Sequence, residues 1–308
     1  MKINVLPDLK YAGFEKEKLT LHLFLQVIGK IRLKLSPRKN HWWYVTHYIT
    51  QKGFSTGAIP YDNGFGSFSI DFNVLKHQLE IETSKGDFEA FSLKSNFSVA
   101  DFYNQVFTIL KALKIRVKIF DKPFDLAIDK SFSEISEYHY YNKSYVENLW
   151  KSLLWTDGVF KEFSGRFYGK TSPVHLYWHS MDLAVTRFYV KKVPKMPGEA
   201  RISDKDAYSH ECISFGFWPG DDKMQEPAFY SYTFPNPEGI QHKKLLPASA
   251  SWEMSNGSPM AILTYANLQK NDNPREALLG FMESAYLAGA NLADWPIDDL
   301  KVPDLENL

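Results

Sequence analysis

Apolar residues recur at helical spacing in two segments of the N-terminal part of the chain. Between residues 15 and about 35 they lie three or four positions apart with charged residues between them, which predicts an amphipathic helix that ends at Ser36 and Pro37. A second such segment, "SVADFYNQVFTILKALKI", begins with Ser98 and Asp101, a pair typical of a capping box. Two helices are therefore predicted to enclose the residues between them.

Short segments rich in β-branched and aromatic residues lie between these two helices. They are separated by turn signals such as "DNG" and "KGD", which predicts mainly antiparallel strands. The segments are "HWWYVTHYIT", "GSFSIDF", "HQLEIET" and "FEAFSL". We group residues 1–125 as a first lobe, followed by a connection, residues 126–142, that lacks sustained periodicity.

The same order of patterns returns over residues 143–308, the predicted second lobe. A long apolar-faced helix, "SYVENLWKSLLWTDGVFKEFSGRF", begins it, and a helix with Asn273 as N-cap and Pro274 at its first position ends it. The strands predicted between them are "HLYWHSMDLAVTRFYV", "HECISFGFW", "AFYSYTF", "ASASWEM" and "MAILTY". The predicted fold class is α+β, with two similar lobes that are each a mainly antiparallel sheet flanked by helices.

An ungapped alignment of the two lobes pairs "GKIRLKLSPRKNHWW" with "GRFYGKTSPVHLYWH". The apolar positions of the preceding helices stay in register, which favours an internal duplication over chance similarity after a helix-ending Ser-Pro. Two equivalent helix-to-strand corners would then lie near a shared interface, where clefts commonly form. The coinciding pairs are Gly29/Gly165, Lys34/Lys170, Ser36/Ser172, Pro37/Pro173 and Trp42/Trp178.

Charge and cysteine content narrow the functional classes. Lys+Arg and Asp+Glu are equal at 36 each, so no overall charge draws the chain to nucleic acid, and no nucleic-acid partner is expected. The single cysteine, Cys212, excludes an intrachain disulfide and suits a reducing cytoplasm, the predicted location. No window reaches the ~18 apolar residues of a membrane span, and the first residues lack the apolar run of a signal peptide.

The stretch "SPVHLYWHSMDLAVTRF" contains several side chains of types that take part in catalysis or ligand binding. His175 and His179 are predicted on a strand, followed by a candidate turn at Ser180-Met181-Asp182. Four strand residues span roughly 13 Å, too far for joint zinc binding. No metal site is therefore predicted. "GRFYGKTS" just before it has three residues between its glycines where a phosphate loop needs four, so it is read as a helix-ending turn.

Period-two alternation places one charged residue on each of two apolar strand faces. Arg187 shares a face with Leu183 and Val185, and Glu211 shares one with Ile213. Because a lone buried charge is costly, the two are predicted to pair across neighbouring strands. A structural ion pair is favoured over a catalytic carboxylate, and a β-bulge would reverse the assignment.

The opposite strand faces are more polar and suggest a binding site. A His/Tyr/Trp-lined face of the second lobe is predicted to bind a small molecule, with aromatic segments such as "FWPGDD" and "PAFYSYTFPNPEG" as its rims. For each histidine taken singly, a purely structural role is the alternative. The predicted ligand-binding residues are His41, Trp42, Tyr177, Trp178, His179, Arg187, Tyr208 and Trp218.

Two other functions stay open from the sequence. A hydrolase-like enzyme would use His175, His210 and Glu211 for acid–base chemistry, whereas Ser209 and His210, adjacent on a strand, are expected to point apart. A structural or interaction protein would use its aromatic surface loops instead. The sequence predicts neither a cofactor nor an oligomeric state.

Several segments resemble, in order, a mainly bacterial protein family known only as a domain of unknown function. They are "LHLFLQVIGKIRLKLSPRKNHWWYVTHYIT", "SVADFY", "GRFYGKTSPVHLYWHSMDLAVTRF", "AYSHECISFGFWPG" and "PAFYSYTFPNPEG". The resemblance covers roughly residues 19–293 and implies no activity. The family pattern often has glycine at the position of His179, so it implies no family-wide catalytic role for that residue.

Overall fold

A computed structural model describes residues 6–304 and residue 306 of the chain. Within this part, none of the helices is both long enough and apolar enough to cross a membrane. The α-helices are α1 (Glu15–Leu35), α2 (Val99–Ala112), α3 (Lys143–Gly165), α4 (Ile202–Ala207), α5 (Tyr265–Gln269), α6 (Pro274–Leu292) and α7 (Ile297–Leu300). The four long helices, α1, α2, α3 and α6, are the four that the periodicity predicted.

Side-chain caps fix the starts of three of these helices. The Ser98 hydroxyl accepts from the backbone N–H of Asp101, whose carboxylate accepts from the Ser98 backbone N–H, which confirms the predicted capping box of α2. Asn273 caps α6 with Pro274 at its first position, also as predicted. Asn142 caps α3 through the backbone N–H of Tyr145.

The first sheet is antiparallel, in the strand order β1-β2-β4-β5-β6, with β3 pairing on β4. Its strands are β1 (Tyr48–Thr50), β2 (Gly53–Ser55), β3 (Ile59–Tyr61), β4 (Gly66–Asn73), β5 (Gln78–Thr83) and β6 (Phe88–Ser92). Alternating apolar residues of β4 face the core while their neighbours are half-buried, as expected for a sheet covered on one face. The strands predicted at β4, β5 and β6 are confirmed.

The prediction of a strand over "HWWYVTHYIT" is wrong for most of its length. Asn40–Trp42 forms a short 3₁₀ turn in which His41 and Trp42 have φ of 54° and 60°, and only the last three residues form β1. The aromatic, β-branched composition is typical of a strand, but tertiary packing decides the local conformation here. The turn redirects both side chains.

The second sheet is also antiparallel, in the order β12-β13-β11-β10-β9-β7, with β8 pairing on β9. Its strands are β7 (Lys170–Thr171), β8 (His175–Tyr177), β9 (Asp182–Lys192), β10 (His210–Trp218), β11 (Ala228–Phe234), β12 (Ser251–Ser255) and β13 (Ser258–Thr264). A turn at residues 178–181 divides the predicted "HLYWHSMDLAVTRFYV" strand into β8 and β9. The α+β class with two antiparallel sheets is confirmed.

Most buried apolar side chains of both sheets form one contiguous core, and Trp43, Phe188 and Cys212 form a small separate cluster. Within the core, Phe24 of α1 stacks on Phe102 of α2 at 4.2 Å between ring centroids, and Phe163 of α3 meets Phe215 of β10 at 4.7 Å. A backbone bridge between His47 and Leu176, with both N–H···O distances 2.8 Å, links the edges of the two sheets. The proposed boundaries at 125 and 142 therefore fall within a continuously packed molecule and stay a prediction.

An internal duplication is not confirmed. The sheets have six and seven strands, and the aligned glycines have unlike surroundings. A Cβ on Gly29, inside α1, would lie 2.4 Å from the ring of Trp178, whereas a Cβ on Gly165, at the end of α3, would meet no atom within 4 Å. The first glycine is required for close packing and the second is not.

Candidate functional site

A cavity of about 610 Å³ lies between residues of the two predicted lobes, over one face of β9, β10 and β11. Cross-strand register aligns Thr186 with Ser214 and Ser214 with Tyr232, so these three side chains share the cavity face. Alternate residues point to the other face, against α3 and α6. We call this space the tyrosine cavity; its floor comprises Asp182, Ala184, Thr186, Phe188, Cys212, Ser214, Tyr230 and Tyr232.

The walls of the tyrosine cavity come from turns and from parts of α1, β8 and α4. The turn before β1 contributes two tryptophans, the turn between β8 and β9 contributes His179 and Ser180, and α4 contributes a polar edge. The remaining lining residues are Lys30, Leu33, His41, Trp42, Trp43, Val45, Phe124, Asp125, Tyr177, Trp178, Arg201, Ile202, Ser203, Asp204, Ala207 and Tyr208. Both predicted lobes therefore contribute to one enclosure.

A glycine in β10 allows the Tyr230 side chain to cross the floor. A Cβ on Gly216 would lie 2.2–2.4 Å from the end of the Tyr230 ring, so only glycine admits the ring there. The Tyr230 hydroxyl thereby reaches across β10 and donates to Asp182 Oδ2 at 2.5 Å. Ser180 Oγ donates to the other oxygen of the same carboxylate. Asp182 is thus held by two hydroxyl groups.

Four neutral phenol groups line the cavity. The Tyr208 and Tyr232 hydroxyl oxygens are 3.0 Å apart, and the Tyr230 and Tyr232 rings are nearly parallel at 6.1 Å between centroids. Burial, with the nearby Asp182 charge as a smaller cause, raises the pKa of Tyr177 and Tyr230. Burial also raises the pKa of Tyr208 and Tyr232. All four phenols keep their protons and can donate hydrogen bonds at neutral pH.

The backbone is strained where it forms the cavity walls. His41, Trp42 and Met181 have φ between 54° and 63°, a region that non-glycine residues rarely adopt. Such conformations cost of order 1–3 kcal/mol each and persist where surrounding contacts enforce them. Here two of the three residues line the cavity and the third separates Ser180 from Asp182.

Hydrogen bonds fix the strained His41. Its Nδ1 lies 3.0 Å and 3.2 Å from the carbonyl oxygens of Asp206 and Ala207, so Nδ1–H donates and Nε2 accepts from Lys170 Nζ at 2.5 Å. Burial, together with the Lys170 charge, lowers the pKa of His41. A neutral imidazole therefore links the turn to α4 and β7.

Six of the residues predicted from the sequence line the cavity: His41, Trp42, Tyr177, Trp178, His179 and Tyr208. Five do not: His175, Arg187, His210, Glu211 and Trp218. Tyr208 comes from the end of α4 and not from a strand, yet its ring still reaches the cavity.

The predicted Arg187–Glu211 pair is wrong. Arg187 Nη2 donates to the carbonyl of Phe163 at 2.7 Å, and its guanidinium carbon lies 3.6 Å from the centroid of the Phe163 ring. Glu211 instead pairs with Lys191 at 2.7 Å and accepts from the indole of Trp295 at 3.0 Å. The register shifts between β9 and β10 at Glu211, and this bulge separates the two side chains.

The two histidines outside the lining have different surroundings. His175 is fully buried, with no hydrogen-bond partner for either ring nitrogen among the described residues, and burial lowers its pKa to about 3. His210 is half-buried, with its ring 6.0 Å from that of His41. The expectation that Ser209 and His210 point apart is also wrong, since Ser209 Oγ lies 3.1 Å from His210 Nδ1. Ser209 precedes β10, so strand alternation does not govern it.

Sequence reasoning missed residues that are central to the site. Tyr230 and Tyr232 could have been found, because alternation in "AFYSYTF" places both on one face of β11. Asp182 belonged to the candidate turn Ser180-Met181-Asp182 but was not predicted as a site residue. Phe124 and Arg201 come from segments without periodicity, so no pattern indicated them.

Two further observations concern other kinds of site. In the described part of the chain, no three His, Cys, Asp or Glu side chains are grouped so that they could hold a metal ion. A depression of about 970 Å³ lies beside the turn between β3 and β4 and the end of α2, but none of its lining residues is buried. The tyrosine cavity differs in that buried side chains, such as those of Trp178, Cys212 and Ser214, line it.

Comparison with known proteins gives one match. The profile of a family of unknown function, DUF5996, matches residues 6–302, nearly the whole chain. Neither a search of curated proteins nor a search of solved structures gave a significant match. The resemblance of the sequence segments to a family of unknown function is thereby confirmed.

Proposed function

Because the chain belongs to the family of unknown function DUF5996, which supplies no activity to transfer, we propose from its site alone that the protein binds a small organic molecule in the tyrosine cavity. The observation that carries this proposal is a cavity whose lining includes buried aromatic and polar side chains. Its volume of about 610 Å³ falls within the 300–1,000 Å³ typical of ligand sites, and aromatic walls surround a few converging polar groups.

The polar groups of the cavity suit recognition of a ligand. Asp182 is fixed by Ser180 and Tyr230, so its orientation is set before any ligand arrives. Preorganised donors and acceptors lose little entropy on binding.

The geometry favours binding over the acid–base hypothesis. His175, His210 and Glu211 lie outside the cavity lining, and Glu211 is committed to Lys191 and Trp295. The cavity does hold Cys212, but burial raises the pKa of its thiol to about 12. A thiol that keeps its proton is a poor nucleophile. A single buried cysteine also suits a reducing cytoplasm, which we propose as the location.

An interaction role is less well supported. The exposed large apolar side chains are spread over separate elements, such as Phe65 beside β4, Val190 in β9 and Met254 in β12. Single exposed apolar residues are normal in folded proteins and do not by themselves indicate a partner surface.

A thermal-shift screen against a broad metabolite library tests the proposal. We would run it on the native protein, on Ser214→Leu and on Ser251→Leu. Leucine at 214 extends from β10 into the cavity, whereas Ser251 is an exposed serine of β12 and provides a matched control. A ligand present at about 100 times its Kd stabilises the folded state by about 2.7 kcal/mol, which is a shift of several degrees.

We expect at least one compound to raise the melting temperature of the native protein and of Ser251→Leu, and to have no effect on Ser214→Leu. The melting transition of each variant without compound shows that it folds. An equal shift in all three proteins would contradict the proposal, because the compound would then bind elsewhere. The absence of any responding compound would also count against it.

A further inference from the structure

The charges that line the tyrosine cavity are not balanced. Three carboxylates face two cationic side chains, and one pair is already formed, between Arg201 and Asp125 at 3.4 Å. The second cation, Lys30, directs its ammonium toward the ring of Phe120, 5.1 Å from the centroid. Phe120 is outside the lining. The carboxylates of Asp182 and Asp204 therefore carry the charge that remains.

Of these two carboxylates, Asp182 is the better placed to contact a ligand. Its partners are the hydroxyls of Ser180 and Tyr230, which orient it without neutralising it, and it forms no ion pair within the described chain. A carboxylate offers about four acceptor sites, so two hydroxyl donors leave capacity for a ligand. The Asp182 charge also acts on neighbouring phenols. Burial is the largest cause that raises the pKa of Tyr177 and Tyr230, and the Asp182 charge is the second.

The remaining lining adds a second kind of attraction for positive charge. Aromatic rings carry negative charge on their faces, and nine such rings line the cavity, of which Trp43 and Phe188 already lie 5.4 Å and 5.1 Å from the Lys170 ammonium. The rings are those of Trp42, Trp43, Phe124, Tyr177, Trp178, Phe188, Tyr208, Tyr230 and Tyr232. Aromatic walls recognise quaternary ammonium ligands in other proteins.

We propose that the ligand of the tyrosine cavity is an organic cation, an amine or a quaternary ammonium, whose charge binds Asp182 and whose carbon skeleton packs on the aromatic walls. This inference rests on the proposed function and specifies its ligand class. An anion would meet repulsion from Asp182, and a neutral polyol would leave that carboxylate without a counter-charge.

Titration calorimetry with matched ligands separates charge from shape. Tyramine, tyrosol and para-hydroxyphenylacetate share one ring and carry a positive, a neutral and a negative side chain. Choline and its neutral carbon isostere dimethylbutanol form a second pair. For the native protein we expect each cation to bind at least about tenfold more tightly than its neutral counterpart, with no detectable binding of the anion.

Two variants assign the preference to Asp182. Asp182→Asn removes the charge while its amide oxygen can still accept from Tyr230, so we expect the preference for cations to fall to less than about twofold. Asp222→Asn is the control, because Asp222 accepts from the Tyr11 hydroxyl at 2.5 Å outside the cavity and should leave the preference unchanged. If Asp182→Asn does not fold, the ratio of the affinities of the native protein for the cation and for its neutral counterpart tests the cation preference.

The results distinguish this inference from the proposed function. Neutral compounds that bind as tightly as the cations, and lose affinity in Ser214→Leu, would overturn the cation preference and leave the cavity as a binding site. Failure of every compound, here and in the metabolite screen, would overturn both. Equal loss of cation binding in Asp182→Asn and Asp222→Asn would also overturn the assignment to Asp182.

Discussion

A guanidinium buried among aromatic rings is the most unusual single residue of this fold. Arg187 is 2 % exposed, donates to the carbonyl of Phe163, and lies 4.4 Å from the ring centroid of Tyr286. Burial lowers its pKa to about 10, which still leaves it charged at neutral pH. Ring faces, a carbonyl and the charge of Glu283 thus compensate the buried guanidinium, in place of the expected pairing with Glu211.

A double-mutant cycle tests whether Arg187 and Glu211 interact. Arg187→Met should reduce the free energy of unfolding by several kcal/mol, on the order of 2–4, because it removes ring and carbonyl contacts from the core. Glu211→Gln keeps an acceptor for Trp295. Urea denaturation of both single variants and the double variant should give a coupling energy below about 0.5 kcal/mol. A coupling above about 1.5 kcal/mol would show that the two residues do interact.

Among the elements, α1 depends on one small residue for its contact with the turn after β8. The indole of Trp178 lies against Gly29, and the same Trp178 lines the tyrosine cavity. This contact joins a helix of the first lobe to the site on the second sheet. Helix packing and cavity shape are therefore coupled at Gly29.

Replacing each of the two aligned glycines by alanine should give opposite results. Gly29→Ala places a Cβ 2.4 Å from a buried ring and should lower the free energy of unfolding by about 1–3 kcal/mol. Gly165→Ala meets open space at the end of α3 and should leave stability unchanged or raise it by up to about 1 kcal/mol. Urea denaturation measures both. Equal destabilisation would contradict the structure and support equivalent positions.

Local patterns predicted the regular elements and failed at the irregular ones. The long helices and the strands β9, β10 and β11 follow from periodicity, because their burial has a fixed repeat. The Asn40–Trp42 turn and α4 depend on contacts with distant residues, such as the bonds of His41 to Asp206 and Ala207. The six lining residues that the sequence indicated all belong to the walls, and the contacts that bring them over the floor could not be read from local patterns.

At the scale of the whole molecule, neutral histidines are buried throughout the packed core. His22, His47 and His175 are each at most 5 % exposed, and burial lowers the pKa of each to about 3. In the unfolded chain the usual histidine pKa is about 6.5. The unfolded state therefore binds more protons than the folded state between these two pH values.

Stability should consequently fall as pH falls from about 6.5 toward about 3, and be fully retained above that window. Each group contributes up to about 1.4 kcal/mol per pH unit to the slope. His175→Leu should reduce the slope between pH 6 and pH 5 by about that amount, since His175 has no hydrogen-bond partner to lose among the described residues. Urea denaturation at several pH values measures it.

The exposed His242 supplies the control for this pH dependence. His242→Gln should leave the slope unchanged. A His175→Leu protein with the native slope would mean that His175 is protonated in the folded state, in contradiction to its burial.

The central claim is that the tyrosine cavity is a ligand site, and a crystal structure of the protein with a compound that raises its melting temperature tests it most directly. The account predicts electron density over β9, β10 and β11, with a polar group of the compound within hydrogen-bond distance of Asp182 and its carbon atoms against Trp42. Density for the compound elsewhere, for example in the depression beside the end of α2, with the cavity unchanged, would contradict it.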